Sequence, residues 1–382
     1  MRTGLECSHF GECGSCKHSD YAVSFANKTE FVKTEFEKFL TTNGVEISLF
    51  QSPRAAFRAR AEFRVFHDES GASWAMNGSA GGFVKVKSCA IVAEKIARLM
   101  PPLLEKVNSN PNLAKKLFGV EFFSTNERQN GLLCVLLYHK NVEEIQQDLA
   151  VLAEFLEREF DASLIARSRG KKLLFGSENL TSSVSVNDKN FKLKFSGEAF
   201  SQPNAFINEK MLCWVSENFL PASREEDLLE LYCGHGNFTL PLSQNFHFIL
   251  ANEISKNSVS NALANASDNG VENIFIARMS SEELMQALAK KREFNRLKGV
   301  NVDKFDFTNI FLDPPRAGCD AEVLKFAAKM KQIAYISCNP LTLKRDLEIL
   351  SQTHFVKKMA LFDQFAYTNH IECGVILEKK EA

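Results

Sequence analysis

No stretch of this chain approaches the roughly 18 consecutive apolar residues that a membrane-crossing helix needs. Its N-terminus carries no apolar segment of the kind that directs secretion. These two absences predict a cytoplasmic protein with no membrane partner. Charge of one sign is also missing: 46 Lys and Arg stand against 47 Asp and Glu, a net charge of −1. A polycation that coats nucleic acid by bulk charge is excluded, so any nucleic-acid contact must come from a local basic patch. There is no internal repeat, no low-complexity linker and no evident docking segment for a stable protein partner. A length of 382 residues suits two domains. The join is soft, and the change of pattern near residues 190–200 predicts an N-terminal unit, 1–195, and a C-terminal unit, 196–382.

Cysteine, by contrast, is plentiful, with ten in the chain. Several lie in apolar strand-like runs, and with no secretory segment they read as reduced thiols rather than a disulfide framework. Three of them, Cys7, Cys13 and Cys16, fall within ten residues and are separated by glycines. The glycines permit the tight turns that would let the thiols converge on one centre. Cys89, in Val84-Lys-Val-Lys-Ser-Cys89, is the natural fourth ligand. Such a set suits zinc or an iron–sulfur cluster; the bland alternative is unligated thiols near a terminus.

After a helical stretch from Tyr21 to Thr42, the segment Arg54 to Phe66 alternates with period two from Arg58 onward. Arg58, Arg60, Glu62 and Arg64 fall on one face, and Ala59, Ala61, Phe63 and Val65 on the other. That pattern predicts a half-buried strand with a cationic outer face. Guanidinium forks match phosphate oxygens, so Arg54, Arg58, Arg60 and Arg64 are candidate nucleic-acid contacts; a solvated, salt-bridged face is the alternative. Arg167-Ser-Arg169-Gly-Lys171-Lys172 forms a second basic cluster in a loop.

From Asp227 strand and helix signals alternate, which predicts a mostly parallel sheet with right-handed crossovers. The strand Leu228 to Cys233 runs into the glycine turn Gly234-His235-Gly236-Asn237, where a ligand can approach the backbone at a helix N-terminus. The next strand ends in Glu253, placed to take ribose hydroxyls. A third glycine and a Walker lysine are absent, which favours an adenosine-type ligand over a dinucleotide or a triphosphate. His235 should be tolerated in that turn if its side chain points outward. Asp313-Pro-Pro-Arg316 stops a strand, because proline cannot donate to the ladder. The apolar run Ile333 to Ile336 ends in Ser337-Cys338-Asn339-Pro340. Cys338 is there either a nucleophile at the ligand-binding rim or a small core hydrophobe. Gln202 and Asn204 read equally as polar clamps at the site mouth and as a helix start. Glu372 opens the final strand, where burial would raise its pKa and suit it to moving protons.

These motifs together resemble the 5-methyluridine RNA methyltransferases, a family of class I S-adenosylmethionine enzymes. The resemblance is carried by Gln202-Pro-Asn, Leu-Glu-Leu-Tyr-Cys-Gly-His-Gly-Asn-Phe, Asn-Glu-Ile-Ser-Lys, Leu-Asp-Pro-Pro-Arg-Ala-Gly, Tyr-Ile-Ser-Cys-Asn-Pro and His-Ile-Glu-Cys-Gly. Arg60-Ala-Glu-Phe-Arg64, Leu136-Leu-Tyr-His-Lys140, the insertion Arg292 to Gly299 and the run Leu361 to Gly374 are similar to the tRNA branch of that family. The cysteine run instead resembles the [4Fe-4S] motif of the ribosomal-RNA branch.

The resemblance implies an α/β fold: a Rossmann-like seven-stranded methyltransferase domain preceded by a smaller α+β RNA-binding domain. It implies Cys338 as nucleophile and Glu372 as proton acceptor, with S-adenosylmethionine held by Gln202, Tyr232, Asn237, Glu253 and Asp313. A [4Fe-4S] cluster would sit on Cys7, Cys13, Cys16 and Cys89. The expected substrate is the T-loop uridine of tRNA, with tmRNA as a second substrate. The alternatives are the same chemistry on 23S ribosomal RNA, or an RNA-binding module without catalysis that assists tRNA folding.

Overall fold

The computed structural model describes residues 5–197 and 200–381. The alternating arginine segment becomes strand β2 (Arg60–Asp68), preceded in the chain by β1 (Ile47–Phe50). β2 belongs to a seven-stranded sheet with β3 (Gly71–Asn77), β4 (Phe83–Lys85), β5 (Leu117–Ser124), β6 (Leu132–Tyr138), β7 (Ala162–Ser168) and β8 (Lys171–Phe175). Their order is β4-β3-β2-β5-β6-β7-β8. One face packs Ala61, Phe63, Val65, Phe122, Leu136 and Leu164 against the amphipathic helices Glu94–Ser109 and Gln146–Phe160. The hairpin β9 (Asn179–Val186) and β10 (Lys189–Ser196) covers part of the other face, burying Phe123, Leu133, Val135 and Ile165 with Phe195. β6 is therefore apolar along its whole length instead of alternating.

The second sheet holds the expected seven strands: β11 (Asp227–Leu231), β12 (Ile249–Glu253), β13 (Ile274–Arg278), β14 (Phe307–Leu312), β15 (Gln332–Ser337), β16 (His354–Phe362) and β17 (Glu372–Lys379). β17 runs antiparallel to both β15 and β16, while the pairs joining β11 to β12 and β14, β12 to β13 and β14 to β15 are parallel. Helices cover both faces, which is why these strands read as unbroken apolar runs. This is the α/β methyltransferase architecture that the motifs predict.

The sheet has an eighth strand that the sequence reading did not include. β1 adds to the far edge, parallel to β16, with Ile47 opposite Met359 and Phe50 opposite Phe362. The helix Tyr21–Thr41 packs Tyr21, Phe25, Val32 and Phe36 into the same core as β14 and β15. The segment Ile47–Phe50, ahead of β2, thus completes the sheet of the C-terminal half. Lys28 on that helix is 3% exposed and donates both to Asp363 Oδ1 at 2.7 Å and to the Phe365 carbonyl at 2.9 Å. Among the described residues no helix is long and apolar enough to cross a membrane.

Candidate active site and RNA face

Four strand ends place the acidic and nucleophilic groups on one rim. β11, β14 and β15 run toward that rim, and β17 runs away from it, so Glu372 at the start of β17 lies level with their ends. Register fixes the face as well. Glu230 pairs with Phe311, Phe311 with Ala334, and Ala334 with Ile376. Side chains two residues apart share a face. Glu230, Asp313, Cys338 and Glu372 therefore all belong to that one side of the sheet. Ser337 pairs with Cys373, which brings Cys338 and Glu372 opposite each other one step beyond.

Their mutual electrostatics agree with that placement. Cys338 is half-buried, and burial, then Glu372, then Asp313 push its pKa up to about 11, against the pull of Arg316. Burial carries Asp313 up to about 7. Glu372 is 4% exposed; burial and then Asp313 hold it well above the usual carboxylate range, with Arg316 opposing. A preformed thiolate is therefore not present at rest. A positive charge arriving at this rim would lower all three values.

Glu230 was not singled out in the sequence, although it sits inside the motif Leu-Glu-Leu-Tyr. It is 1% exposed, and among the described residues only Thr239 approaches its carboxylate, without the geometry of a normal hydrogen bond. Burial raises it to about 8, partly offset by Thr239 and reinforced by Asp313. Its signal was period two: an acid flanked by Leu229 and Leu231 must face the interior when both faces of a strand are covered.

The glycine turn is arranged to admit a ligand. Gly234 and Gly236 have φ of +58° and +86°, and a Cβ on Gly236 would lie 2.7 Å from Leu240 Cδ1. Tyr232 also has positive φ, +66°, a conformation that non-glycine residues adopt at a cost and that clusters at ligand sites. Its hydroxyl donates to Ser281 Oγ at 3.1 Å. Glu253 accepts from Gly234 N at 3.1 Å and from Ser255 N at 2.7 Å, tying the turn to the end of β12. Gln202 Oε1 accepts from Gln364 Nε2 at 2.7 Å, while the buried Gln364 Oε1 has no partner in the structure. The open turn and these unsatisfied acceptors fit a polar, cationic, adenosine-type molecule such as S-adenosylmethionine.

Asn237 and Asn208, on the helix Ala205–Asn218, hydrogen-bond in both directions at 3.0 and 2.8 Å, which fixes Asn237 at the glycine turn. Asn204 is the cap of that helix, accepting from Ile207 N at 3.2 Å, and only Gln202 of that pair contacts a group at the rim. His235 points inward, packs on Phe195 at 5.8 Å, and is pushed down to about 4 by burial.

The arginine face lines a cavity of about 680 Å³. Arg58, Arg60, Glu62 and Arg64 form one wall; Phe365, Thr368 and His370, just before Glu372, form another. Ring contacts hold the guanidinium planes: Arg58 over Phe365 at 5.8 Å, Arg60 over Phe123 at 4.9 Å and Arg64 over Phe83 at 5.2 Å. Arg54 is not among the lining residues. It lies over Tyr21 at 5.8 Å and lines a separate groove. His370 is exposed, with its ring centroid 5.4 Å from that of Phe365.

The four N-terminal-set thiols, Cys7, Cys13, Cys16 and Cys89, line the same cavity. Burial, then Cys89, Cys13 and Cys7, raise Cys16 to about 12. Their segment is pinned to the loop between β3 and β4, with Gly14 N donating to the Asn77 carbonyl and Ser79 N to that of Glu12. Among the described residues no three Cys, His, Asp or Glu side chains come together closely enough to hold a metal ion. Neither the zinc nor the [4Fe-4S] expectation gains support from this geometry.

Comparison with known proteins bears on the same residues. The family model described as tRNA (Uracil-5-)-methyltransferase matches residues 20–380. A tRNA/tmRNA (uracil-C(5))-methyltransferase of Campylobacter hominis is 45% identical over 376 residues, covering 98% of this chain and 100% of the relative. One from Campylobacter concisus is 46% identical over 379 residues, with the same coverage of each. Among solved structures, a Pyrococcus abyssi tRNA (uracil-54, C5)-methyltransferase in complex with S-adenosyl-L-homocysteine shares the fold, with a TM-score of 0.68 at 19% identity over 95% of this chain and 84% of that one. The chain belongs to the tRNA (uracil-5-)-methyltransferase family.

Proposed function

We propose that this chain methylates C5 of a uridine in the T-loop of tRNA, and the equivalent loop of tmRNA, through a transient bond between Cys338 Sγ and C6 of the base. The observation that carries the reading is the convergence of Cys338, Asp313 and Glu372 on one face of one rim. The relatives' names, tRNA/tmRNA (uracil-C(5))-methyltransferase, favour tRNA and tmRNA over ribosomal RNA, and such work belongs in the cytoplasm.

S-adenosylmethionine supplies the methyl group as an electrophilic sulfonium. Gln202, Tyr232, Asn237, Glu253 and Asp313 would hold it. Uracil C5 is too weak a nucleophile to take that methyl unaided. Cys338 first gives up its proton to solvent water, and its thiolate adds to C6, pushing the C5=C6 electron pair toward C5 and O4. C5 then forms its bond to the methyl carbon as the sulfur–methyl bond breaks. Glu372 takes the remaining C5 proton, and the electrons of that C–H bond restore C5=C6 and expel Cys338 as thiolate. A buried carboxylate with a raised pKa is matched to this proton transfer. The base must leave its stack to meet Cys338 from above the ring, so a loop uridine is the natural target, with Arg58, Arg60 and Arg64 on the flanking phosphates.

The test is 5-methyluridine analysis of tRNA incubated with the protein and methyl donor. Cys338→Ala is expected to form none. Glu372→Gln is expected to accumulate a denaturation-resistant protein–RNA adduct. Wild-type turnover in Cys338→Ala would remove the covalent route.

A further inference from the structure

Arg316 is the cation of the rim, and its side chain is exposed. A long exposed side chain acts at one place only when its backbone is fixed, because its own rotamers are free. The backbone here is fixed residue by residue. Asn339 Nδ2 and Thr342 Oγ1 donate to the Arg316 carbonyl at 3.0 and 3.3 Å. Arg345 Nη2 donates to the carbonyls of Ala317 and Cys319 at 3.1 and 3.2 Å. Gly318 N closes a turn on the Pro315 carbonyl at 2.9 Å. Loop 316–319 is thereby bound to the segment that follows Cys338 and continues as the helix Pro340–Leu350.

Asp346, on that helix, is the centre of the arrangement, and it is fully buried. One carboxylate oxygen accepts from Cys319 N at 3.0 Å and from the Tyr335 hydroxyl at 2.7 Å. The other accepts from Arg345 Nε at 2.8 Å and Nη2 at 2.7 Å. A carboxylate is costly to bury unless it is paired and hydrogen-bonded. Here each of those bonds comes from the loop, from β15 or from the arginine that holds the loop. The loop lies directly on the carboxylate: Gly318 has φ of +78°, and a Cβ there would lie 2.7 Å from Asp346 Oδ2. Tyr335 stands three residues before Cys338, so it points to the opposite face of β15. It shares a core there with Leu343 and Leu347 of the helix. Asp346 therefore lies behind the sheet and touches none of the reacting groups.

We propose that Asp346 is a positioning residue for the reaction at Cys338: with Arg345 and Tyr335 it fixes loop 316–319, and so holds the Arg316 guanidinium over the rim where the thiolate must form. The inference rests on the methyl-transfer reading and adds to it a residue that never meets substrate. The charged and titratable groups of the rim are Glu230 on β11, Asp313 and Arg316 after β14, and His370 and Glu372 at the approach to β17. The field of Arg316 reaches Cys338, Glu372 and His370. Around Asp346, Arg345 is the paired cation, while Asp320 is occupied as a helix cap, accepting from Val323 N at 2.9 Å. Without the Asp346 carboxylate, Arg345 loses its anchor and the loop loses its hold. The Arg316 charge then spreads over solvent instead of favouring the anion at Cys338.

Alkylation of Cys338 by iodoacetamide, followed across pH by peptide mass spectrometry, reads the thiol without RNA or methyl donor. Arg316→Met and Asp346→Asn are each expected to move its inflection upward by about 0.5–1 unit, the scale of one neighbouring charge at a partly open site. The acid limb of the methylation pH profile should move the same way. The double variant should move no further than Arg316→Met alone, because Asp346 acts through Arg316. Arg345→Gln, at a half-exposed position, should shift the inflection in the same direction by a smaller amount, and it decides the matter if Asp346→Asn does not fold. An inflection at the wild-type pH in the folded variant, or a shift by Asp346→Asn that adds to that of Arg316→Met, would overturn the positioning role. Absence of 5-methyluridine formation by wild type would instead overturn the methyl-transfer reading, and the alkylation series would still decide whether Asp346 governs Cys338.

Discussion

Replacing Glu230 with glutamine should change how stability depends on pH. Glu230 is an acid whose folded pKa stands above its unfolded one, about 8 against 4.5. The folded state therefore keeps a proton that the unfolded state has already released. The stability this contributes is fully present below about pH 4.5 and is lost as pH rises through about 8. A difference of about 3.5 pKa units at 1.36 kcal/mol each sets a loss approaching 4–5 kcal/mol by pH 8 and under about 1 kcal/mol at pH 5. Glutamine keeps the shape and cannot ionise. Its amide has its own desolvation cost, but that cost does not vary with pH, so the difference between wild type and variant isolates the carboxyl. Asp313 and Glu372 are also raised, and their contributions remain in both proteins. Urea unfolding followed by far-UV circular dichroism at pH 5 and pH 8 reads the effect. The variant should gain about 3–4 kcal/mol on wild type between the two. Parallel pH curves would mean that Glu230 ionises freely in the folded protein, and the assignment of an unpartnered buried acid would be wrong.

Three further outcomes follow from the same geometry. Asp313→Asn removes one of the charges that raise Cys338, so the alkaline inflection in its alkylation by iodoacetamide should move to lower pH; a shift upward would contradict the arrangement. Lys28→Met leaves Asp363 buried without its cation and should cost about 3–5 kcal/mol in unfolding experiments, much of it recovered in Lys28→Met, Asp363→Leu; equal loss in the single and double variants would show that the ion pair is not what matters. Gly236→Ala puts a Cβ 2.7 Å from Leu240 Cδ1 at a φ of +86°. It should weaken S-adenosylhomocysteine binding by calorimetry at least tenfold, about 1.4 kcal/mol; unchanged affinity would exclude the turn from the ligand site.

The rim was legible because several of its members end a strand with a residue that cannot continue the strand. Asp313 before two prolines, Cys338 before Asn339-Pro340 and Glu253 before a capped helix each announce their position locally. What stayed hidden depends on partners distant in sequence. β1 is four residues long, and its partner β16 lies about 300 residues away, so nothing near Ile47 signals that it joins the second sheet. Lys28 reads as the solvent side of an amphipathic helix until Asp363 and the Phe365 carbonyl are seen beside it. Asn237 belongs to a ligand motif by its neighbours in sequence and to Asn208 by its neighbours in space.

The raised values at the rim follow from placing several potential anions on one buried sheet face. Glu230, Asp313, Cys338 and Glu372 could together carry four negative charges, and Arg316 is the cation whose field reaches Cys338 and Glu372. Ionising any one of them at rest makes ionising the next more costly, so the face holds its protons. A cationic ligand bound at this rim reverses that balance, because each anion then gains a partner of opposite sign at low dielectric. Thiolate formation at Cys338 is thereby coupled to occupancy of the adjacent ligand site. The cysteine should alkylate slowly in the free protein and faster with the sulfonium analogue sinefungin, whose amine carries the charge, than with neutral-sulfur S-adenosylhomocysteine. If the two ligands accelerate alkylation equally, charge at the rim is not what releases the proton.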